Sequence, residues 1–282
     1  MTQLCPLITA ADLKPLLGRP DLRIVDASWH LDGRDGRVDF ERERIPGAVF
    51  FDLEAGSDRS NPLPHMLPTA EAFAAHVSAL GIGDQDDIVV YDTPGLVSAA
   101  RIWWMFRTFG ADRVRVLDGG LPAWRAAGGA LESGSRTPLG PASFRAHLDA
   151  DAVADRADVA AAPDAGIQIL DARSAGRFAG TAPEPRPGLR GGHMPGACNL
   201  PFAAILTPDS TMKRGAALEA AFAAAGIDPD RPVITSCGSG VTAAILSLGL
   251  AVLGRPSRVY DGSWTEWGGR DDTAIETSPI RS

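Results

Sequence analysis

The sequence has few cysteines, and their spacing argues against the structural uses of cysteine. Among 282 residues there are three, Cys5, Cys198 and Cys237, and no two of them form a Cys-x-x-Cys pair. An odd number of cysteines that lie far apart in the sequence argues against a disulfide scaffold and against a cysteine-rich zinc site. The five histidines are equally scattered, without the spacing of metal ligands. We therefore expect no metal site and a protein of a reducing compartment.

The chain also lacks long hydrophobic runs and basic clusters. Its longest nearly apolar stretch, residues 243–253, is much shorter than the ~18 residues that a membrane span needs. The first residues show no basic region leading an apolar segment, so we expect no secretory signal peptide. Two of the 27 basic residues are lysine, and 35 acidic residues give a net charge of −8. These features predict a cytoplasmic protein that binds neither nucleic acid nor membrane.

An internal repeat is the first positive signal in the sequence. The segment ending in Asp26 matches one ending in Asp171 at an offset of 145 residues, and Asp118-Gly-Gly matches Asp261-Gly-Ser at 143. Between them, a Pro-Gly-Ala motif recurs at an offset of 149. Solenoid repeats have periods of roughly 20–50 residues. A repeat of this length therefore indicates two duplicated domains.

We predict an N-terminal domain at residues 1–127 and a C-terminal domain at 143–282, joined by a linker at 128–142 that is rich in glycine, serine and proline. Within each half, short β-branched runs alternate with helical patterns. The predicted helices cover residues 69–80, 97–109, 216–225 and 241–253. This alternation predicts an α/β fold in which each domain is a parallel sheet flanked by helices on both faces. Ligands of such folds bind beyond the carboxyl ends of the strands.

One such strand end carries a cysteine. Residues 233–236 form a predicted strand, followed by Cys237-Gly-Ser-Gly-Val-Thr and a helix. Gly238 and Gly240 allow several backbone N–H groups to converge on one centre, and the helix N-terminus adds partial positive charge. A thiol in that environment should have a lowered pKa and act as a nucleophile. The same N–H groups would stabilise a persulfide, which is also an anion.

Three other interpretations of this loop are open at this point. Gly238-x-Gly240-x-x-Ala243, with Asp261 further along, also fits a dinucleotide fingerprint. However, few residues follow Asp261 to complete a dinucleotide-binding sheet. A cysteine-dependent phosphatase would need an arginine to clamp phosphate, and the loop has none. Cys237 can also be a buried structural residue in a tight turn.

Taken together, the tandem repeat, the Gly192-His-Met-Pro-Gly-Ala segment and the Cys237-Gly-Ser-Gly-Val-Thr loop resemble the two-domain rhodanese sulfurtransferases. This resemblance implies two rhodanese-like domains, of which the C-terminal one is catalytic. The N-terminal domain of that family has lost its cysteine, and here Asp92 stands at the position equivalent to Cys237. The resemblance therefore implies that the N-terminal domain serves as a scaffold and as one wall of an interdomain cleft.

The resemblance also implies a sulfur donor. Members that use thiosulfate have two basic residues where this chain has Gly238 and Ser239, whereas the loop of members that use 3-mercaptopyruvate resembles the present one. Arg177 and Arg186 match the positions that bind the carboxylate of that donor. The loop residues implied in substrate binding are Gly238, Gly240, Val241 and Thr242. We thus expect a sulfurtransferase for 3-mercaptopyruvate, with thiosulfate as the alternative donor.

The remaining catalytic residues also come from the resemblance. His65 matches a histidine that relays protons through the loop serine, here Ser239, and its orienting carboxylate falls on Glu54, where better-known members carry aspartate. The implied acceptor is a small thiol, cyanide or a thioredoxin-like protein, and no cofactor is implied. A persulfide-relay module serving a protein partner is the second hypothesis. Arg177 and Arg186 favour the enzyme, because a relay needs no carboxylate clamp.

Overall fold

The computed structural model describes residues 4–136 and 139–277, which fall into two compact units. The first comprises the described residues within Met1–Arg59, Leu67–Asp149 and Pro208–Met212, and the second those within Ser60–Met66, Ala150–Thr207 and Lys213–Ser282. Two residues of the predicted linker, 137 and 138, lie outside the described residues. The domain boundaries derived from the sequence stay a prediction.

The first unit contains a five-stranded parallel sheet with the strand order β1-β5-β4-β2-β3. Its strands are β1 (Leu7–Ile8), β2 (Leu22–Asp26), β3 (Val49–Phe50), β4 (Asp87–Tyr91) and β5 (Val114–Leu117). Its α-helices are α1 (Ala10–Leu13), α2 (Gly36–Arg42), α3 (Ala70–Ala79), α4 (Ala99–Thr108) and α5 (Gly120–Ala126).

The second unit repeats this topology, since its sheet has the order β6-β10-β9-β7-β8 and is again parallel. The strands are β6 (Val153–Ala154), β7 (Gln168–Asp171), β8 (Cys198–Asn199), β9 (Val233–Ser236) and β10 (Arg258–Tyr260). The α-helices are α6 (Arg156–Ala161), α7 (Ala175–Ala179), α8 (Gly215–Ala224), α9 (Ala243–Val252) and α10 (Ser263–Trp267). The predicted α/β class with two parallel sheets is confirmed.

Local sequence explains where the helices begin and how they pack. The Thr69 side chain accepts a hydrogen bond from the Ala72 N–H group and so caps α3. Gly81, which follows this helix, has φ +79°, a conformation that glycine adopts without steric cost. Helix α9 is apolar except for Ser247, and eight of its ten residues are buried. A helix of this composition belongs in the interior of a domain.

Strand register brings two loops of each sheet together. In the second unit Asp171, the last residue of β7, pairs with Ser236, the last residue of β9. The Cys237 loop therefore begins beside the carboxyl end of β7. In the first unit Asp26 pairs with Tyr91 in the same way, directly before Asp92. Among the described residues, no helix is long and apolar enough to cross a membrane.

Candidate active site

The backbone of Cys237 is held by the residues that follow β10. Cys237 is buried, with 2% of its surface exposed. Its N–H group donates to Ser263 Oγ over 3.3 Å, and its carbonyl accepts from the Trp264 N–H group over 3.0 Å. Ser263 has φ +49°, in the left-handed region, and its hydroxyl donates to the Tyr260 carbonyl over 2.8 Å. The turn into α10 therefore fixes the cysteine at the end of β9.

Glycine at position 238 allows an arginine to approach the loop. A Cβ atom on Gly238 would lie 3.0 Å from the NH2 atom of Arg177, so a larger residue would displace the guanidinium group. The Gly238 carbonyl accepts from the Thr265 N–H group at 2.9 Å and from Thr265 Oγ1 at 2.6 Å. Gly240 has φ +78°, which a side chain would strain. The geometry of the loop therefore explains why both Gly238 and Gly240 are glycine.

The loop ends at the N-terminus of α9, which runs for ten residues from Ala243. Val241 and Thr242 are buried, at 1% and 7% exposed, directly before this helix. The Cys237 Sγ atom forms no hydrogen bond with the described residues. A helix N-terminus presents N–H groups that lack partners within the helix, so it favours a negative charge nearby.

The equivalent loop of the first unit displays such a charge. The Asp92 side chain is fully buried, and its carboxylate accepts hydrogen bonds of 2.7–2.8 Å from the N–H groups of Gly95, Val97, Ser98 and Ala99. Helix α4 begins at Ala99. The loop of the first unit is therefore an anion-binding nest of backbone N–H groups, occupied by the chain's own carboxylate.

The structure brings His65 and Ser239 together, although they are 174 residues apart in sequence. His65 Nδ1 lies 3.0 Å from Ser239 Oγ, and the two residues are 3% and 6% exposed. His65 belongs to Ser60–Met66, the short segment assigned to the second unit. Its φ of +60° is left-handed, and strained backbone of this kind clusters at functional sites.

The two predicted carboxylate-binding arginines have different surroundings. Arg177, in α7, donates from Nε and NH2 to the Glu184 carboxylate, with an NH2–Oε2 distance of 2.5 Å. Its side chain is 24% exposed. Arg186 is half-buried and forms no hydrogen bond or ion pair with any described residue.

Sequence reasoning missed a buried charge network behind Arg177. Arg173, whose side chain is fully buried, donates to both carboxylate oxygens of Asp171 and, through NH1, to Glu184 Oε1 over 2.8 Å. Its guanidinium carbon lies 4.2 Å from the centre of the Trp264 ring. Asp171, Arg173, Glu184 and Arg177 thus alternate in charge. The sequence signal that could have indicated this network is Arg173, a charged residue two positions after Asp171, the last residue of β7.

Glu54 is placed in the first unit, where its side chain is exposed in the turn after β3. Its N–H group donates to Asp52 Oδ1 over 3.0 Å. The role of Glu54 in orienting His65 stays a prediction. Among residues 4–136 and 139–277, no group of three histidine, cysteine or acidic side chains is arranged to hold a metal ion.

Comparison with known proteins identifies the family. The rhodanese-like domain matches residues 9–127 and 155–270. The 3-mercaptopyruvate sulfurtransferase of Escherichia coli K12 is 44% identical over 91% of this chain and 92% of its own. Thiosulfate/3-mercaptopyruvate sulfurtransferase 1 of Arabidopsis thaliana, described as mitochondrial, is 43% identical over 96% and 78%.

A solved structure agrees with these sequence matches. The crystal structure of SseA from Escherichia coli, reported among 3-mercaptopyruvate sulfotransferases, superposes with a TM-score of 0.83 and 41% identity, covering 92% of this chain and 98% of that one. The two matched domains and the repeated sheet topology agree with the relatives at this identity. The chain therefore belongs to the rhodanese-like domain family, as a tandem member similar to the 3-mercaptopyruvate sulfurtransferases.

Proposed function

We propose that this protein is a 3-mercaptopyruvate sulfurtransferase that carries sulfur as a persulfide on Cys237. The observation that carries the proposal is the position of Arg177, whose guanidinium group lies against Gly238, the residue after the cysteine. A carboxylate bound by Arg177 would place the rest of a small donor beside the thiol. Relatives named as 3-mercaptopyruvate sulfurtransferases support this assignment.

The proposed first half-reaction moves one sulfur atom. The Cys237 thiolate attacks the sulfur of 3-mercaptopyruvate, so that an S–S bond forms while the C–S bond breaks. The electron pair of the broken bond stays on the carbon as the enolate of pyruvate. The proton of the donor's thiol is then transferred to that carbon, which leaves pyruvate and an anionic Cys237 persulfide. No external oxidant or reductant is needed for this balance.

The Asp92 loop supports the idea that the Cys237 loop stabilises an anion. The two loops occupy equivalent places in duplicated domains, and both lead into a helix that begins with alanine, Ala99 or Ala243. In the first unit four N–H groups bind a buried carboxylate. We propose that the N–H groups of Val241, Thr242 and Ala243 do the same for the thiolate and the persulfide.

Proton transfer is assigned to Ser239 and His65. Their contact of 3.0 Å is within the range for proton transfer between a hydroxyl group and an imidazole. Protonation of the enolate through this pair would complete pyruvate formation. In this proposal Glu54 orients the imidazole of His65.

Two features favour a carboxylate donor over thiosulfate. The loop residues Gly238 and Ser239 carry no charge, whereas a doubly charged inorganic donor is best matched by cations. Arg186 forms no ion pair among the described residues, so its guanidinium group is available to a ligand. A planar guanidinium group matches a carboxylate bidentately. Thiosulfate remains the alternative donor, and the name of the Arabidopsis relative includes both compounds.

The second half-reaction passes the outer sulfur to a thiophile. We propose a small thiol, cyanide or a reduced thioredoxin-like protein as the acceptor. A cytoplasmic location is part of the same proposal and is supported by the three cysteines, none of which forms a disulfide among the described residues. We also propose that residues 143–282 form the catalytic domain, 1–127 the non-catalytic one and 128–142 the linker.

A burst experiment tests this function. Without an acceptor, the wild-type protein should release about one pyruvate per chain in a fast phase and then stop, because covalent catalysis separates the two half-reactions. Adding a thiol should start steady turnover. Cys237→Ser should release no pyruvate while unfolding at the wild-type temperature. A burst that persists in Cys237→Ser, or turnover with thiosulfate but none with 3-mercaptopyruvate, would contradict the proposal.

A further inference from the structure

The carboxylate that holds Arg177 is more deeply buried than the arginine itself. The Glu184 side chain is 2% exposed, whereas that of Arg177 is 24% exposed. Glu184 is fixed from behind by Arg173, which is in turn bound to Asp171 at the end of β7. The guanidinium group of Arg177 is therefore connected by three ion pairs, two of them between buried side chains, to the carboxyl end of β7 beside the Cys237 loop.

The edge of the Arg177 guanidinium group that faces Glu184 matters for substrate binding. Arg177 uses Nε and NH2 toward Glu184, and its NH1 atom forms no hydrogen bond with the described residues. A guanidinium group has two edges that bind a carboxylate, one formed by Nε and NH2 and the other by NH1 and NH2. Because Glu184 occupies the first edge, the second stays open for a ligand. Glu184 thus selects which edge of Arg177 can bind a substrate.

The network also sets the charge beside the cysteine. Asp171 and Glu184 carry two negative charges, and Arg173 and Arg177 carry two positive ones, so the four side chains sum to zero. Without the Glu184 charge, a net positive charge would lie next to the loop. Inside a protein such a charge is screened less than in water and favours a dianion over a monoanion.

From these observations we infer that Glu184 is a positioning residue that orients Arg177 for a carboxylate donor and disfavours thiosulfate. The inference rests on the proposed function. Glu184→Gln keeps the shape of the side chain and one acceptor oxygen but removes the charge. The specificity ratio, defined as kcat/KM with 3-mercaptopyruvate divided by kcat/KM with thiosulfate, should fall by about tenfold or more in this variant. Loss of one charge-assisted hydrogen bond has an effect of this order.

Controls separate positioning from a structural effect. Glu219→Gln makes the same chemical change on the exposed surface of α8 and should leave the ratio unchanged. If Glu184→Gln does not fold, Glu184→Asp keeps the buried charge but shortens its reach by one methylene. This variant should raise KM for 3-mercaptopyruvate about threefold or more, without raising KM for thiosulfate. Equal losses with both donors, in either Glu184 variant, would overturn the inference.

A double-mutant cycle shows whether Glu184 acts through Arg177. In an Arg177→Ala background, Glu184→Gln should raise KM for 3-mercaptopyruvate no further, because the group that it orients is gone. A full additional increase of this KM in the double mutant would overturn the inference. Failure of the proposed function looks different, since the wild-type protein would then show no activity with 3-mercaptopyruvate.

Discussion

Asp92 is the residue at which anion binding by the loop after β4 can be tested without changing Cys237. Its carboxylate is fully buried and accepts four backbone hydrogen bonds, from Gly95, Val97, Ser98 and Ala99. Asp92→Ala removes this carboxylate and leaves the four N–H groups without their hydrogen-bond acceptor. Each buried N–H group that loses its partner costs about 1 kcal/mol or more. We therefore expect the variant to lose about 4 kcal/mol of stability in the first unit.

Asp92→Asn should be less severe. Its amide oxygen can replace Oδ2, which accepts from Val97, Ser98 and Ala99, but its NH2 group then faces the N–H group of Gly95. One hydrogen bond becomes a contact between two donors, and the negative charge is lost. We expect a decrease of about 2 kcal/mol, half that of Asp92→Ala.

The assay must report on the first unit alone, because a protein of two units need not unfold in one step. Hydrogen exchange followed by mass spectrometry measures the opening free energy of peptides in β4 and α4 separately from those in β9 and α9. Formate, a small carboxylate, should bind in the emptied nest of Asp92→Gly and restore part of the protection. The surface variant Asp112→Ala, whose side chain is 89% exposed, serves as a control that should change little.

A loss below about 1 kcal/mol in Asp92→Ala, together with no effect of formate, would contradict this prediction. The loop of the first unit would then not be a nest that depends on a bound anion. The analogy from Asp92 to a Cys237 persulfide would fail with it.

Three other predictions concern the site and the core. Arg177→Ala should raise KM for 3-mercaptopyruvate at least about tenfold more than KM for thiosulfate, and equal increases in steady-state kinetics would refute the carboxylate assignment. Ser239→Ala should slow the pyruvate burst by about 100-fold while leaving KM nearly unchanged, if Ser239 transfers a proton. Burial raises the pKa of Asp26 to about 6, so the folded state binds this proton more tightly than the unfolded state, and stability falls as pH rises from about 4 to about 6. Asp26→Asn should therefore be more stable than the wild type by up to about 3 kcal/mol above pH 6, and denaturant unfolding should show no difference below pH 4.

Much of the fold could be predicted from sequence because its signals are local. Thr69 is a capping residue next to a helical pattern, and the structure shows its side chain in that role. The two halves repeat the same segments in the same order, and both sheets have the same strand order. The tandem rhodanese resemblance was confirmed by the family match and the relatives.

The candidate site was harder to predict from the sequence because its contacts join residues that are far apart in the chain. No periodicity indicates that residues 60–66 are assigned to the second unit, yet this assignment brings His65 to Ser239. The partner of Arg177 was also missed, since Glu184 lies in a loop without regular structure and its burial depends on Arg173. Spacing rules cannot report a charge network that only the folded loop creates.

The location of the transferred sulfur shows whether Cys237 is the sulfur carrier. The wild-type protein is incubated with 3-mercaptopyruvate and no acceptor, then digested, and each cysteine peptide is examined by tandem mass spectrometry. We expect an added mass of about 32 units on the Cys237 peptide and none on those of Cys5 and Cys198, and the added mass should disappear when a thiol is supplied. Pyruvate release without sulfur on Cys237, or sulfur on Cys198 instead, would contradict the proposed role of Cys237.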